Sequence, residues 1–233
     1  AKRRDPAYDI VQKVIANRDK FLTQINSQTT TIYLKAREEI TIEEREKKKF
    51  FEIGADGQDE TTVPDALEEL NEEAKPKLNM LEMELVLDYQ APNKYMEERT
   101  AYSTYGTTSG LFVPRFKDLD FNFYDNLVYL KALTEVPVIS PIATTSILTY
   151  KYKLVETYRE PQGIVYKIKV TPRKAGNSSC SGYIYVNDEF WNLRKVDLTL
   201  EKGTLKFYDE FNLVQEYQLF NDSLWLVNRQ EFN

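Results

Sequence analysis

The sequence predicts an α+β fold: a large antiparallel sheet with a few helices packed on one side. Three observations carry that expectation. The first residues repeat apolar side chains at helical spacing. From Ile147 onward the chain alternates them at strand spacing. Short turn-forming clusters cut that second half into pieces of similar length. With 233 residues, 42% of them hydrophobic and 29% charged, the chain suits a single domain carrying an insertion, with a core and a soluble surface.

The elements follow in order. Asp5 is placed to cap a helix and Pro6 fits its first position. Ala7, Val11, Val14, Ile15, Leu22 and Ile25 then recur on one helical face. In "TTTIYLKAR", Ile32, Leu34 and Ala36 alternate with Tyr33, Lys35 and Arg37, which makes a half-buried strand. Thr41 and Glu44 form a capping box for a second helix, supported by Glu43–Lys47 and Glu44–Lys48. Residues 54–77 are acidic and poor in aromatics, and read as a mobile insertion with a short helix from Asp65 to Ala74. "LNMLEMELVLDY" extends into a strand that Pro92 closes. "YMEERTAYSTYG" fits strand or helix, and Phe123, Leu127, Leu130 and Ala132 favour a short helix.

"VPVISPIATTSILTYKYKL" brings the chain back to the sheet. Pro137 and Pro141 forbid a regular helix and stiffen a turn. Leu148, Tyr150, Tyr152 and Leu154 then share one strand face, opposite Thr149, Lys151 and Lys153. "GIVYKIKV", "GYIYV", "LRKVDLTL", "LKFYDEFNLVQEYQLF" and "LWLVNRQEF" continue as a meander. The opening "AKRRDPAY" lacks the apolar stretch of a leader, and "RQEFN" stops inside a strand-like pattern. The first observation fits a cytoplasmic chain or a piece cut from an exported protein, and the second suggests a fragment of something longer.

Composition removes several chemistries. There is no histidine, so His-based triads, His-ligated zinc and histidine general bases are excluded. The single cysteine, Cys180, permits no internal disulfide and no multi-cysteine metal site. It reads as a small residue at a turn or strand start. A formal charge of −6 argues against nucleic acid as a partner. No apolar run reaches the roughly 18 residues of a membrane helix.

The motifs that suggest sites mostly fail on inspection. Asp118, Asp120 and Asn122 fill the first ligand positions of a calcium loop, but Phe123 stands where glycine is needed and Tyr129 where glutamate is needed. Gly106 and Gly110 in "YGTTSG" lack the lysine of a phosphate loop and read as a turn. Glu97–Glu98, Asp118–Asp120 and Asp188–Glu189 are carboxylate pairs, but neighbours in sequence are not thereby neighbours across a cleft. The 16 tyrosines suit sheet faces that are apolar along the ring and wet at the hydroxyl.

"DPAYDIVQKVIANRDK", "DYQAPNKYMEERTAYSTYGTTSGLFVPRF", "DFNFYDNLVYLKAL", "EVPVISPIATTSILTYKYKL" and "KVTPRKAGNSSCSGYIYV" together resemble the central periplasmic region of a Bacteroidota outer-membrane family. Its members look like a carboxypeptidase-regulatory-like β-sandwich, then this region, then a C-terminal membrane β-barrel. The order helix, strand, long meander is also similar to lipoprotein-sorting carriers, where a curved half-barrel holds helices on its concave side. The resemblance implies a single periplasmic domain, 1–233, at the periplasmic face of the outer membrane, attached through a barrel absent from this chain.

The function this implies is non-catalytic: binding a partner protein, lipoprotein or lipid in envelope assembly or transport, with no cofactor and no metal. The alternatives are an acidic-residue hydrolase of envelope glycans and a structural spacer between sandwich and barrel. A carrier would hold an apolar pocket between sheet and helices. Its expected lining is Phe123, Leu127, Leu148, Tyr150, Tyr152, Leu154, Tyr166 and Ile168. Ser223 in "DSL" is similar to the acceptor pattern of Bacteroidota periplasmic O-glycosylation.

Overall fold

The computed structural model describes residues 4–40, 77–92, 94–106, 121–130, 133–134, 136–174, 176, 178–201, 203–205 and 210–232. The chain divides into two compact units, Ala1–Asn26 with Phe116–Asn233, and Ser27–Arg115. Where the sequence suggests one domain with an insertion at about 54–77, the stretch that interrupts the first unit is the longer 27–115. The acidic stretch before Lys77 lies outside the described residues, as do the helices expected from Thr41 and from Asp65 to Ala74. Strand makes up 60% of the described residues, which include two helices, so the architecture is mostly antiparallel β.

The first unit opens with α1 (Ala7–Leu22), capped by Pro6 one residue later than the sequence suggests. Asp5 still acts at the helix start, because its Oδ1 accepts the N–H of Ala7 at 3.0 Å. Ala7, Ile10, Val11, Val14 and Phe21 form the buried stripe. Their spacing of three and four residues puts them on one face.

That stripe packs on a six-stranded sheet. Its strands are β6 (Tyr150–Glu160), β7 (Gly163–Pro172), β8 (Ser181–Asn187), β9 (Asn192–Glu201), β10 (Glu210–Phe220) and β11 (Leu224–Phe232). Each pairs antiparallel with the next, so the order is a plain meander, and the sheet is not closed. The alternation seen in the sequence becomes two faces. Tyr152 sits opposite Val170, Ile168 opposite Ile184, and Ile184 opposite Val196, all buried on the side that α1 covers. Burying each such side chain contributes roughly 1.5–3 kcal/mol. Lys153 opposite Lys169 and Lys169 opposite Tyr183 lie on the other face.

Between helix and sheet the chain departs from expectation. The helix expected over Phe123, Leu127, Leu130 and Ala132 is replaced by a turn and a two-residue strand, β4 (Leu127–Val128), paired with β5 (Val138–Ile139). Asn122 explains the difference. Its Oδ1 accepts the N–H of Tyr124 at 2.9 Å and its carbonyl that of Asp125 at 3.1 Å, closing a turn that competes with helix. Leu127 is left exposed on the ribbon. A second correction concerns Leu148. Residues Ser146–Thr149 form one helical turn, α2, so the period of two begins only at Tyr150, and Leu148 is 79% exposed.

The second unit contains β1 (Ser27–Ile40), β2 (Lys77–Gln90) and β3 (Lys94–Tyr105), in that order in one antiparallel sheet. β1 is the predicted half-buried strand, with Ile32, Leu34 and Ala36 facing Leu85, Met83 and Leu81. β2 is the predicted strand closed by Pro92. "YMEERTAYSTY", open between strand and helix in the sequence, is strand.

Candidate functional site

The eight residues expected to line a pocket do not converge on one. Tyr150, Tyr152, Ile168 and Phe123 are buried in the main core. Leu154 and Tyr166 are half-buried at its margin, and Leu127 and Leu148 face outward. Among the described residues, a cavity of about 10 Å³ lies between core elements. It is lined by Phe123, Val128, Val138, Cys180, Leu198 and Leu213, among others. That is about the space of a single water, and its apolar walls offer a water no partners.

Two of the tyrosine hydroxyls expected to be wet, those of Tyr150 and Tyr152, are instead tied to the backbone. Tyr150 donates to the carbonyl of Ile139 at 2.5 Å and accepts the N–H of Cys180 at 3.3 Å. Its one proton being committed to Ile139, the Cys180 thiol at 3.5 Å is left to donate to the phenol oxygen. Tyr152 donates to the carbonyl of Pro141 at 2.6 Å. The two rings of "TYKYKL" thus reach back and hold "VISPI" from inside. Ser140, between those two anchor points, donates to the carbonyl of Phe123 and accepts the N–H of Ile142. The proline-rich stretch is a plug pinned by buried polar bonds.

Burial dominates the electrostatics of this region. It pushes the Cys180 thiol up to about 12 and the Tyr124, Tyr150 and Tyr152 phenols above their ordinary range. Such a thiol stays protonated and is a poor nucleophile. Nearby, Arg18 is buried beneath the turn at 121–126 and donates to Asn126 Oδ1. Asn126 Oδ1 also takes the N–H of Thr144 at 2.9 Å. Burial raises the Asp125 carboxyl, and the charge of Arg18 works against that shift.

The acidic candidates are dispersed. Glu97 and Glu98 are successive residues of β3 and point to opposite faces. Asp188 accepts the N–H of Ile164 at 2.7 Å and serves the turn between β6 and β7. Asp118, Asp120 and Gly110 lie outside the described residues, and Asn122 is engaged in its turn. Among the described residues no three acidic or cysteine side chains are grouped to hold a metal. Ser223 sits exposed in the turn between β10 and β11.

Two surfaces stand out that sequence inspection missed. On β3, an edge of the three-stranded sheet, Met96, Tyr102 and Tyr105 are 64%, 58% and 66% exposed. On the solvent face of β6–β9, Lys153, Lys169, Tyr183 and Asp197 form one row across the strands, with Lys167, Tyr185 and Lys195 in the next row and Lys151 two residues from Lys153. Lys167 Nζ lies 4.8 Å and 5.6 Å from the two ring centres, a cation–π arrangement with both. The alternation in "KYKL" and "YKIKV" shows each strand's lysines. Only the register between strands brings them together.

No curated protein and no solved structure matches the chain. The description "Family of unknown function (DUF5686)" applies to residues 10–233, which takes in both units, and the chain belongs to that family.

Proposed function

We propose that this chain is a non-catalytic binding domain on the periplasmic face of the outer membrane, where it holds a partner protein or lipoprotein on its surface during envelope assembly or transport. The location follows the resemblance to envelope proteins. A lipoprotein-carrier-like half-barrel would need a chamber between sheet and helix, and the cavity of about 10 Å³ among the described residues is too small for an acyl chain. That favours recognition from outside.

The observation that carries the proposal is the outward display on β3. A 12-residue edge strand, with Met96 and Tyr105 exposed on one face and Tyr102 on the other, offers backbone for strand addition and an aromatic anchor on each side of it. Tyrosine is a frequent anchor of protein interfaces, giving large contact area at low entropic cost.

The test is site-specific photo-cross-linking in envelopes of the native host. A photoreactive residue at Tyr102 or Tyr105 should give one adduct of defined mass, while the same residue at exposed Glu189, in the turn between β8 and β9, should give none. Absence of any adduct at either tyrosine would leave the spacer role. A stoichiometric lipid carried through purification and seen by native mass spectrometry would restore the carrier.

A further inference from the structure

We infer that the lysine and tyrosine field on the solvent face of β6–β9 is a docking surface for an anionic phospholipid bilayer. It belongs to the first unit and does not depend on the partner-binding role of β3. The first reason is energetic. Lys153 and Lys169 stand directly opposite each other on paired strands, and like charges in that position destabilise a sheet. Lys151 lies two residues from Lys153 and Lys167 two from Lys169, which puts all four on one face. Glu156 is opposite Lys167, but the ion pairs formed among the described residues include none of these four lysines. A chain with 37 acidic residues and a charge of −6 has carboxylates to spare for such positions. An external anion accounts for the arrangement.

The second reason is shape. Side chains of a sheet stand roughly perpendicular to it, so these ammonium groups are displayed on a sheet face rather than in a cleft, and the carboxylates sharing that face with them include Glu156, opposite Lys167, and Asp197, opposite Tyr183. A plane of point charges matches a plane of phosphates. Lysine and tyrosine also suit the headgroup level, since each has an apolar body and a polar tip. The half-buried Tyr183 and Tyr185 flank Lys167 and supply the amphipathic rings.

The third reason removes competing uses. Lysines on an edge strand often only prevent strand pairing. Here the β6 edge is already blunted, because Asp5 occupies the N–H of Leu154 and a bulge interrupts the strand between Leu154 and Glu156. Lys167 and Lys169 lie on β7, which is not an edge. An acidic strand adding to β6 would meet the same obstacles.

The test is co-sedimentation of the full chain with phosphatidylcholine vesicles, with and without phosphatidylglycerol, at low and high salt. Binding should require phosphatidylglycerol and vanish at high salt. The pair Lys153→Gln and Lys169→Gln should lower the partition coefficient about 25-fold, roughly fivefold per lysine. It should leave the melting temperature unchanged or higher, since a repulsion is relieved. Lys35→Gln, which removes a lysine paired with Glu82 at 2.6 Å, should leave binding as it was. Excess inorganic phosphate should compete only as its ionic strength dictates. Equal binding to both vesicle types would overturn the inference. So would undiminished binding by the double variant, displacement by phosphate at constant ionic strength, or a polyglutamate peptide bound more tightly than the vesicles.

Discussion

Asp5 Oδ1 accepts the backbone N–H of Leu154 at 3.1 Å while also accepting that of Ala7 at 3.0 Å, so one carboxylate oxygen ties the first turn of α1 to the edge of β6. Asp5→Ala should cost about 2 kcal/mol, roughly half from the helix start and half from the strand amide. Asp5→Asn, which keeps an oxygen in place, should cost about 0.5 kcal/mol. Urea unfolding of the three proteins checks this. Equal stability of the alanine variant and the parent would show that water replaces the carboxylate without loss.

Gly182 has φ of +135°, and a Cβ built there would lie 2.2 Å from the carbonyl oxygen of Asp197 on β9. Gly182→Ala should therefore destabilise by about 3 kcal/mol or more, from backbone strain and forced separation of β8 from β9. Gly176→Ala meets nothing within 4 Å and should change stability by less than about 0.5 kcal/mol. Thermal denaturation of the pair separates local sterics from a general intolerance of substitution.

Tyr150→Phe strips the partner from the Ile139 carbonyl and the Cys180 N–H together, and should cost about 2–3 kcal/mol. Tyr152→Phe orphans only the Pro141 carbonyl and should cost about 1–2 kcal/mol. Tyr152→Ala should cost about 3–5 kcal/mol, the range for a large aromatic truncated in a packed core. A loss below 1 kcal/mol in the alanine variant would show that the site is looser than the packing implies.

Stability should decline in alkali. The Cys180 thiol ionises at an ordinary 9.0 in the unfolded chain but near 12 in the folded one. Its folded value is raised, so its contribution is complete below pH 9.0 and disappears as pH climbs toward 12. The slope is about 1.4 kcal/mol per pH unit for this group. The raised tyrosines add to the loss in the same direction. Guanidinium midpoints from pH 7 to 11 should fall after pH 9, and Cys180→Ala should delay the onset. In the native protein a thiol reagent should react with Cys180 only as fast as the chain opens.

Most of the meander was legible in the sequence because alternation and turn chemistry are local. Tyr150 and Tyr152 lie buried on the shared face where period two put them. The errors came where one residue changes the local rule. The side chain of Asn122 closes a turn and removes the helix expected through Leu127. A single helical turn at Ser146–Thr149 takes Leu148 off the face of Tyr150 and Tyr152. The candidate pocket dissolved for a different reason. Alternation says which side of a strand is apolar, and it cannot say whether the opposing surface fills the space. The lysine field escaped notice because Lys153 and Lys169 meet only through register, and the bulge after Leu154 shifts that register.

The separation between α1 and its sheet bears on how the chain matures. Every strand from β6 to β11 pairs with its neighbour in sequence, so the meander can zip up locally and quickly. α1 is made before the strands that cover it, which begin at residue 150, and Gln24 finds its partner, the carbonyl of Trp225, only 201 residues later. Until then Val11, Val14 and Phe21 form a naked apolar stripe on a finished helix. A nascent chain of this kind is a customer for a holding chaperone, and the helix is the segment such a chaperone would grip.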